Sequence, residues 1–207
     1  MKKYEWLWKS KSGRLKRQAI IRQDISEAKL LIKYCKLAEI GIVEIGRKYG
    51  GSTYIIADSS TVPVISIDPS LIQVIPELKS LIETKRVTLI NERSEKVKLT
   101  NKYDVLFIDG DHFKGPSRDV NNYWSNLTNY AIFHDYLFHK KPVQKLNKRS
   151  GDIVYSAKTG DPNPIMQVVD CLVENKCCEI LEQAESMIAV KKLRNFKSFN
   201  FPNIIEL

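Results

Sequence analysis

The chain has 207 residues, 43% of them hydrophobic and 28% charged, and a formal net charge of +9. The length suits one sizeable domain with a single buried core, and the composition is ordinary for a soluble globular protein. No apolar run is long enough to span a bilayer, and the charged, aromatic start from Met1 to Trp8 lacks the apolar centre of a signal peptide, so a cytoplasmic location without a membrane partner is expected.

Residues 1–37 carry eleven Lys/Arg against Glu5, Asp24 and Glu27, which is +8 of the net +9. This basic N-terminal extension reads as mostly helical, because apolar Leu15, Ala19, Ile20, Ile25, Ala28, Leu31 and Ile32 recur at spacings of three to five over 14–37. Asp24 or Ser26 can cap a second helix within it. Two readings of the arm stand side by side. Its charge with Tyr4, Trp6 and Trp8 fits nucleic acid or an anionic partner, and it equally fits a solvated helix face whose aromatics pack on the body.

From residue 38 onward, the main domain, the chain alternates. Ile40–Ile45, Val64–Ile67, Val87–Ile90, Val105–Ile108 and Ala131–Phe133 are short apolar, β-branched runs. Between them, the stretches around Tyr54–Ala57, over Leu71–Glu83 (with Pro76 as a breaker) and over 116–126 are helix-like. A basic, polar stretch from His139 to Asn163 precedes a helix over Pro164–Asn175. Cys178–Gln183 and Met187–Lys192 then flank a turn, as a terminal hairpin does. This alternation predicts a doubly wound, mainly parallel α/β sheet. The four cysteines, with no CxxC pair, are expected to be reduced thiols.

In such sheets ligands bind beyond the carboxyl ends of the strands. The first strand runs into Glu44-Ile-Gly46-Arg-Lys-Tyr-Gly50-Gly51-Ser52-Thr53, a glycine-bearing turn before a helix start. The second ends in Asp68, whose carboxylate can accept hydrogen bonds from ribose hydroxyls. The turn does not supply the G-x-G-x-x-G of dinucleotide folds. It resembles motif I of class I S-adenosylmethionine-dependent methyltransferases, in particular the small-molecule and sugar O-methyltransferase-like group. Val64–Asp68, Ile90–Ser94, Tyr103–His112 and Ala131–Tyr136 resemble the second to fifth motifs, in order and at the right spacing. Two departures are visible: Leu127–Tyr130 stands where the group has a Pro-Gly-Gly turn, and Arg93 stands where a small or acidic residue is usual.

The resemblance implies a seven-stranded Rossmann-like methyltransferase fold with a C-terminal antiparallel hairpin. It also implies a cofactor, S-adenosylmethionine, held by Glu44, Gly46, Gly50, Ser52, Thr53, Asp68, Ser94 and Asp109. Metal-dependent relatives hold their ion with one aspartate after the fourth strand and two ligands after the fifth, and the matching positions are Asp109, His134 and Asp135. Aspartates suit Mg²⁺, and the histidine also suits Mn²⁺ or another transition metal. Similar sugar O-methyltransferases place a catalytic histidine where this chain has His112, three residues past Asp109. An imidazole titrates near neutrality, as a general base should. His112 and Asp109 are therefore the expected catalytic pair.

The expected function is methyl transfer to a hydroxyl of a small molecule or sugar. The basic residues of 139–149 favour an anionic acceptor. The alternatives are an RNA methyltransferase that uses the basic arm, and a non-catalytic binding module on the same fold. Relatives are often oligomers, so a homo-oligomer is expected. Asp161-Pro-Asn-Pro164 resembles the tetrad of amino-group methyltransferases but follows the fifth strand rather than the fourth, and reads as a loop.

Overall fold

The short β-branched runs become the strands of one sheet. The computed structural model describes residues 1–9, 20–71, 74–84, 86–111, 115–137 and 164–196. The strands are β1 (Ile42–Ile45), β2 (Val64–Ile67), β3 (Val87–Ile90), β4 (Tyr103–Ile108), β5 (Leu127–Phe133), β6 (Cys178–Ala184) and β7 (Met187–Lys192). Their order is β3-β2-β1-β4-β5-β7-β6. The first five are parallel, and β7 runs antiparallel to both β5 and β6. The expected seven-stranded doubly wound sheet with its antiparallel hairpin is therefore present. The strand order reverses between β1 and β4, and ligand crevices form at such reversals.

The helices are α1 (Glu5–Lys9), α2 (Ile25–Cys35), α3 (Gly51–Ser59), α4 (Leu78–Glu83), α5 (Gly115–Tyr123) and α6 (Pro164–Glu174). Side chains alternate across the pleat, and the core divides accordingly. Ile42, Val105, Phe107 and Ile132 pack with Leu7, Leu31, Ile55 and Ile56 on one face. Val43, Ile45, Leu106, Ile108 and Phe133 pack with Val120, Ile165 and Leu172 on the other.

Several boundaries differ from the sequence expectation. Of the helical stretch expected over 14–37, the second helix is present as Ile25–Cys35 with the expected Asp24 as its cap, Ile20 and Ile21 are not helical, and 10–19 lie outside the described residues. Asp24 is extended (φ −67, ψ 162), and its N–H donates to Glu27 Oε2 at 2.7 Å, which starts the helix there. Ile20 and Ile21 instead donate their N–H groups to the Leu7 carbonyl. The helix expected over Leu71–Glu83 begins at Leu78, after Pro76. The one expected over 116–126 ends at Tyr123 and passes into a 3₁₀ turn, Trp124–Asn126. Strand β5 starts at Leu127, four residues early. With no Pro-Gly-Gly turn, Leu127 pairs with Tyr103, at the cost of a register shift between Tyr103 and Val105.

The N-terminal aromatics are built into the body. Tyr4 is buried and its hydroxyl donates to Asp58 at 2.7 Å. Trp6 meets the Tyr54 ring edge-on at 5.5 Å, and Trp8 Nε1 donates to the Gln23 carbonyl at 2.7 Å. Cys35, Cys177 and Cys178 are buried, Cys171 is partly so, and all four are free thiols. Among the described residues no helix is long and apolar enough to cross a membrane.

Candidate active site

A cleft of about 670 Å³ opens beyond the carboxyl ends of β1, β2, β4 and β5, within the size range of small-molecule sites. Gly46, Ser52, Asp68, Ser94, Asp109, His134 and Asp135 line it, which brings together seven of the residues singled out from sequence. Glu44, Gly50 and Thr53 do not line it.

The first wall is the loop after β1. Gly46 has φ +92, and a Cβ there would lie 2.1 Å from the Asp109 carbonyl oxygen. Only glycine lets this loop lie against the one after β4. Asp68, after β2, fixes the same loop from the other side. Its Oδ2 accepts the Arg47 and Lys48 N–H groups at 2.7 and 2.8 Å, and its Oδ1 accepts the Ser70 N–H at 2.7 Å. A carboxylate has about four acceptor directions, so backbone amides take most of those that the sequence assigned to ribose.

Glu44 sits behind this loop, fully buried. The hydroxyls of Ser52, Thr53 and Ser66 each donate to its carboxylate at 2.5 Å. Burial pushes Glu44 up to about 7, against the opposing pull of those hydroxyls and of Arg47. Glu44 and Thr53 therefore brace the start of α3 rather than face the cleft.

Arg47 was not singled out from sequence. It is buried and spans the ends of β2 and β3, donating to the Ser66 carbonyl at 2.9 Å and to Asn91 Oδ1 at 2.6 Å. Beyond β3, Ser94 Oγ donates to Asp119 Oδ1 at 2.5 Å, and burial pushes Asp119 up to about 6 despite that bond. Arg93, the sequence departure, is an exposed rim cation 3.7 Å from Glu95.

The second wall is acidic. Strands β4 and β5 are paired in register at Ile108 and Phe133, so the residues that follow them, Asp109 and His134, are neighbours. His134 is 9% exposed. Its Nδ1 lies 2.9 Å from Asp109 Oδ1 and 3.4 Å from Asp135 Oδ1, buried but out of line for a directed hydrogen bond to either. Its Nε2 lies 3.3 Å from Glu27 Oε2. Asp135 reaches the ring from a left-handed backbone, φ +59, uncommon for a residue with a side chain. Burial alone would lower the His134 pKa; Asp109, Asp135 and Glu27 override it and push it up to about 12. One ligand atom from each of Asp109, His134 and Asp135 lies within 4.8 Å of the others, a spacing that can hold a metal ion.

Two members of this wall come from the N-terminal segment. Gln23 Nε2 donates to Asp109 Oδ2 at 2.5 Å. Glu27 is 3% exposed, and its Oε1 accepts from the Ser186 N–H at 3.0 Å and the Ser186 hydroxyl at 2.6 Å. Burial would raise the Glu27 pKa; bonds from His134, Ser186 and the Asp24 amide outweigh it and lower it. In the sequence, Glu27 is recognisable only as the third residue after a helix cap, and nothing marks Gln23. Lys48 and Arg22 also line the cleft. The Lys48 pKa is lowered by burial and by Arg22, against Asp109 and Asp68. The expected base His112, and the basic stretch 139–149, lie outside the described residues.

No protein-family model matches the chain, and no curated protein matches it in sequence. Solved structures do match in shape. An S-adenosylhomocysteine-bound methyltransferase from Podospora anserina superposes with a TM-score of 0.63 at 14% identity, over 93% of this chain and 87% of that one. A protein assigned as a caffeoyl-CoA O-methyltransferase from Staphylococcus aureus gives 0.61 at 18% identity, over 83% and 85%. An O-methyltransferase from Bacillus cereus, in complex with S-adenosylhomocysteine, gives 0.56 at 16%, over 83% of each chain. The chain has the class I S-adenosylmethionine-dependent methyltransferase fold.

Proposed function

We propose that the protein is an S-adenosylmethionine-dependent methyltransferase that methylates a hydroxyl of a small molecule or sugar with the help of a divalent cation. One observation carries this: the cleft at the strand-order reversal joins the Gly46–Asp68 wall to the Asp109–His134–Asp135 group in a single space. The first wall offers a turn held open at Gly46 and an acidic residue at a nucleoside-binding position. The second offers two carboxylates and a ring nitrogen beside it. The S-adenosylhomocysteine complexes of proteins with a similar fold support that cleft as the place for the cofactor.

The donor set fits a metal. His134 Nδ1 is a buried nitrogen with no directed hydrogen bond, and two carboxylate oxygens lie within 3.4 Å of it. When bound, such an ion supplies a Lewis acid that acidifies an acceptor hydroxyl. The protein's own residues hold the geometry: Gln23 orients Asp109, and Glu27 and Asp109 set the His134 ring. The RNA reading has less support, because Tyr4, Trp6 and Trp8 are engaged in packing and hydrogen bonds rather than free to stack on bases.

Calorimetric titration with S-adenosylhomocysteine, with and without a divalent cation, tests the proposal. Micromolar binding that Asp68→Ala weakens at least tenfold is the expected result. A wild-type protein that folds but binds no S-adenosylhomocysteine in either condition would leave only a methyltransferase-like scaffold.

A further inference from the structure

We propose that Glu27 fixes His134 as a nitrogen ligand through Nδ1, so that the site takes a first-row transition ion in preference to Mg²⁺. This rests on the metal-assisted reading above and goes beyond it by naming the ion class and the residue that selects it.

The argument begins at Glu27. Its Oε1 is held by the Ser186 amide and hydroxyl, and its Oε2 by the Asp24 amide, so the carboxylate is fixed from two directions. Oε2 faces His134 Nε2 at 3.3 Å. A fixed carboxylate can only accept, so it holds a proton on Nε2 whether or not Nδ1 also carries one. An ion would then take Nδ1 by displacing the other proton to solvent; Nδ1 is buried, lacks a directed hydrogen bond and lies 2.9 Å from Asp109 Oδ1 and 3.4 Å from Asp135 Oδ1.

Carboxylate, histidine and ion in series is the usual outer arrangement of a metal-bound imidazole. An imidazole nitrogen in the set favours Fe²⁺, Co²⁺, Ni²⁺ or Zn²⁺, whereas Mg²⁺ prefers oxygen and keeps its waters. The three carboxylates of Glu27, Asp109 and Asp135 around one ring favour a divalent cation of either class, so the preference rests on the nitrogen. Glu27 is a positioning residue and His134 the ligand.

The test uses metal-stripped, full-length protein titrated with Co²⁺ and, separately, with Mg²⁺, while S-adenosylhomocysteine binding is measured in parallel. Co²⁺ is expected to bind at least tenfold more tightly than Mg²⁺. The Co²⁺ form is expected to show one solvent-exchangeable, hyperfine-shifted proton resonance from the His134 Nε2–H. Glu27→Gln should weaken Co²⁺ by about 10–100-fold, with unchanged circular dichroism. His134→Asp should abolish the exchangeable resonance and move the preference toward Mg²⁺. Equal affinity for the two ions, no exchangeable resonance, or full Co²⁺ affinity in Glu27→Gln would each overturn the inference. Protein that binds S-adenosylhomocysteine but no Co²⁺ would also overturn it, leaving His134 as an internal cation among carboxylates and the methyltransferase reading intact. Absent S-adenosylhomocysteine binding would instead sink the cofactor reading, and the Co²⁺ results would still decide the ligand set.

Discussion

A carboxylate without water must be answered by its neighbours, and two buried glutamates here are answered in opposite ways. Glu27 faces an imidazole as well as hydroxyl and amide donors, and its pKa falls. Glu44 faces three hydroxyls and is pulled down by Arg47, yet burial outweighs them and pushes it up to about 7 from an ordinary 4.5. The sign follows from linkage: the folded state binds this proton more tightly than the unfolded chain. The stabilisation is complete below about pH 4.5 and is lost as pH rises through about 7, a loss of about 3 kcal/mol for a shift of this size. Glu44→Gln keeps the side-chain volume and removes the charge. Its unfolding free energy should fall less than the wild type's between pH 5 and pH 8, measured by urea denaturation at each pH. Equal losses in both proteins would show that Glu44 is already ionised at pH 5. Asp109 and His134 were legible in sequence because each directly follows an apolar run, where a parallel sheet presents its ligands, and Asp135 is next to His134; their reading as one ligand set came from the resemblance to metal-dependent methyltransferases. Glu27 was not, because the histidine that gives it meaning is 107 residues away.

Elements were legible where one physical signal governs them. Strands β1, β2 and β4 are runs buried on most positions, β3 on its first alone, and the β-branched residues of all four announce them. Helix limits were less so. Apolar spacing continued through Ile20 and Ile21, but those residues are tied to the Leu7 carbonyl, and the helix waits for the Asp24–Glu27 cap. Of the two readings of the basic arm, its described part fits packing onto the body: Leu7 is fully buried and Ile21 is 2% exposed. Leu7→Ala should therefore cost about 2–5 kcal/mol, as for other large-to-small core changes. Because the Leu7 backbone carries Ile20 and Ile21, and these lead into Gln23, the variant should also weaken S-adenosylhomocysteine binding. Denaturation and calorimetry on one sample check both. A loss below 0.5 kcal/mol, the usual size for a surface change, would mean the segment is only loosely attached.

At the scale of the whole molecule, the acidic wall belongs to no single segment. It joins Gln23 and Glu27 from the N-terminal part, Asp109 after β4, His134 and Asp135 after β5, and Ser186 in the turn between β6 and β7. A ligand that binds this wall should tighten all four regions, not the cleft alone. Mass action sets the size of the effect. At a ligand concentration one hundred times its Kd, the folded state gains about 2.7 kcal/mol, roughly 5–11 °C in Tm for a domain of this size. S-adenosylhomocysteine with Co²⁺ should give such a shift, and hydrogen exchange should show where the stabilisation goes. Slower exchange is expected in the loops after β1 and β2, in residues 20–35 and at the Ser186 turn. Co²⁺ alone should protect the last two regions and leave the Asp68 loop little changed, since Glu27 connects the metal wall to α2 and the hairpin but not to β2. Protection by Co²⁺ confined to Asp109 and Asp135, with residues 20–35 exchanging as before, would mean that the N-terminal segment covers the site without being coupled to it.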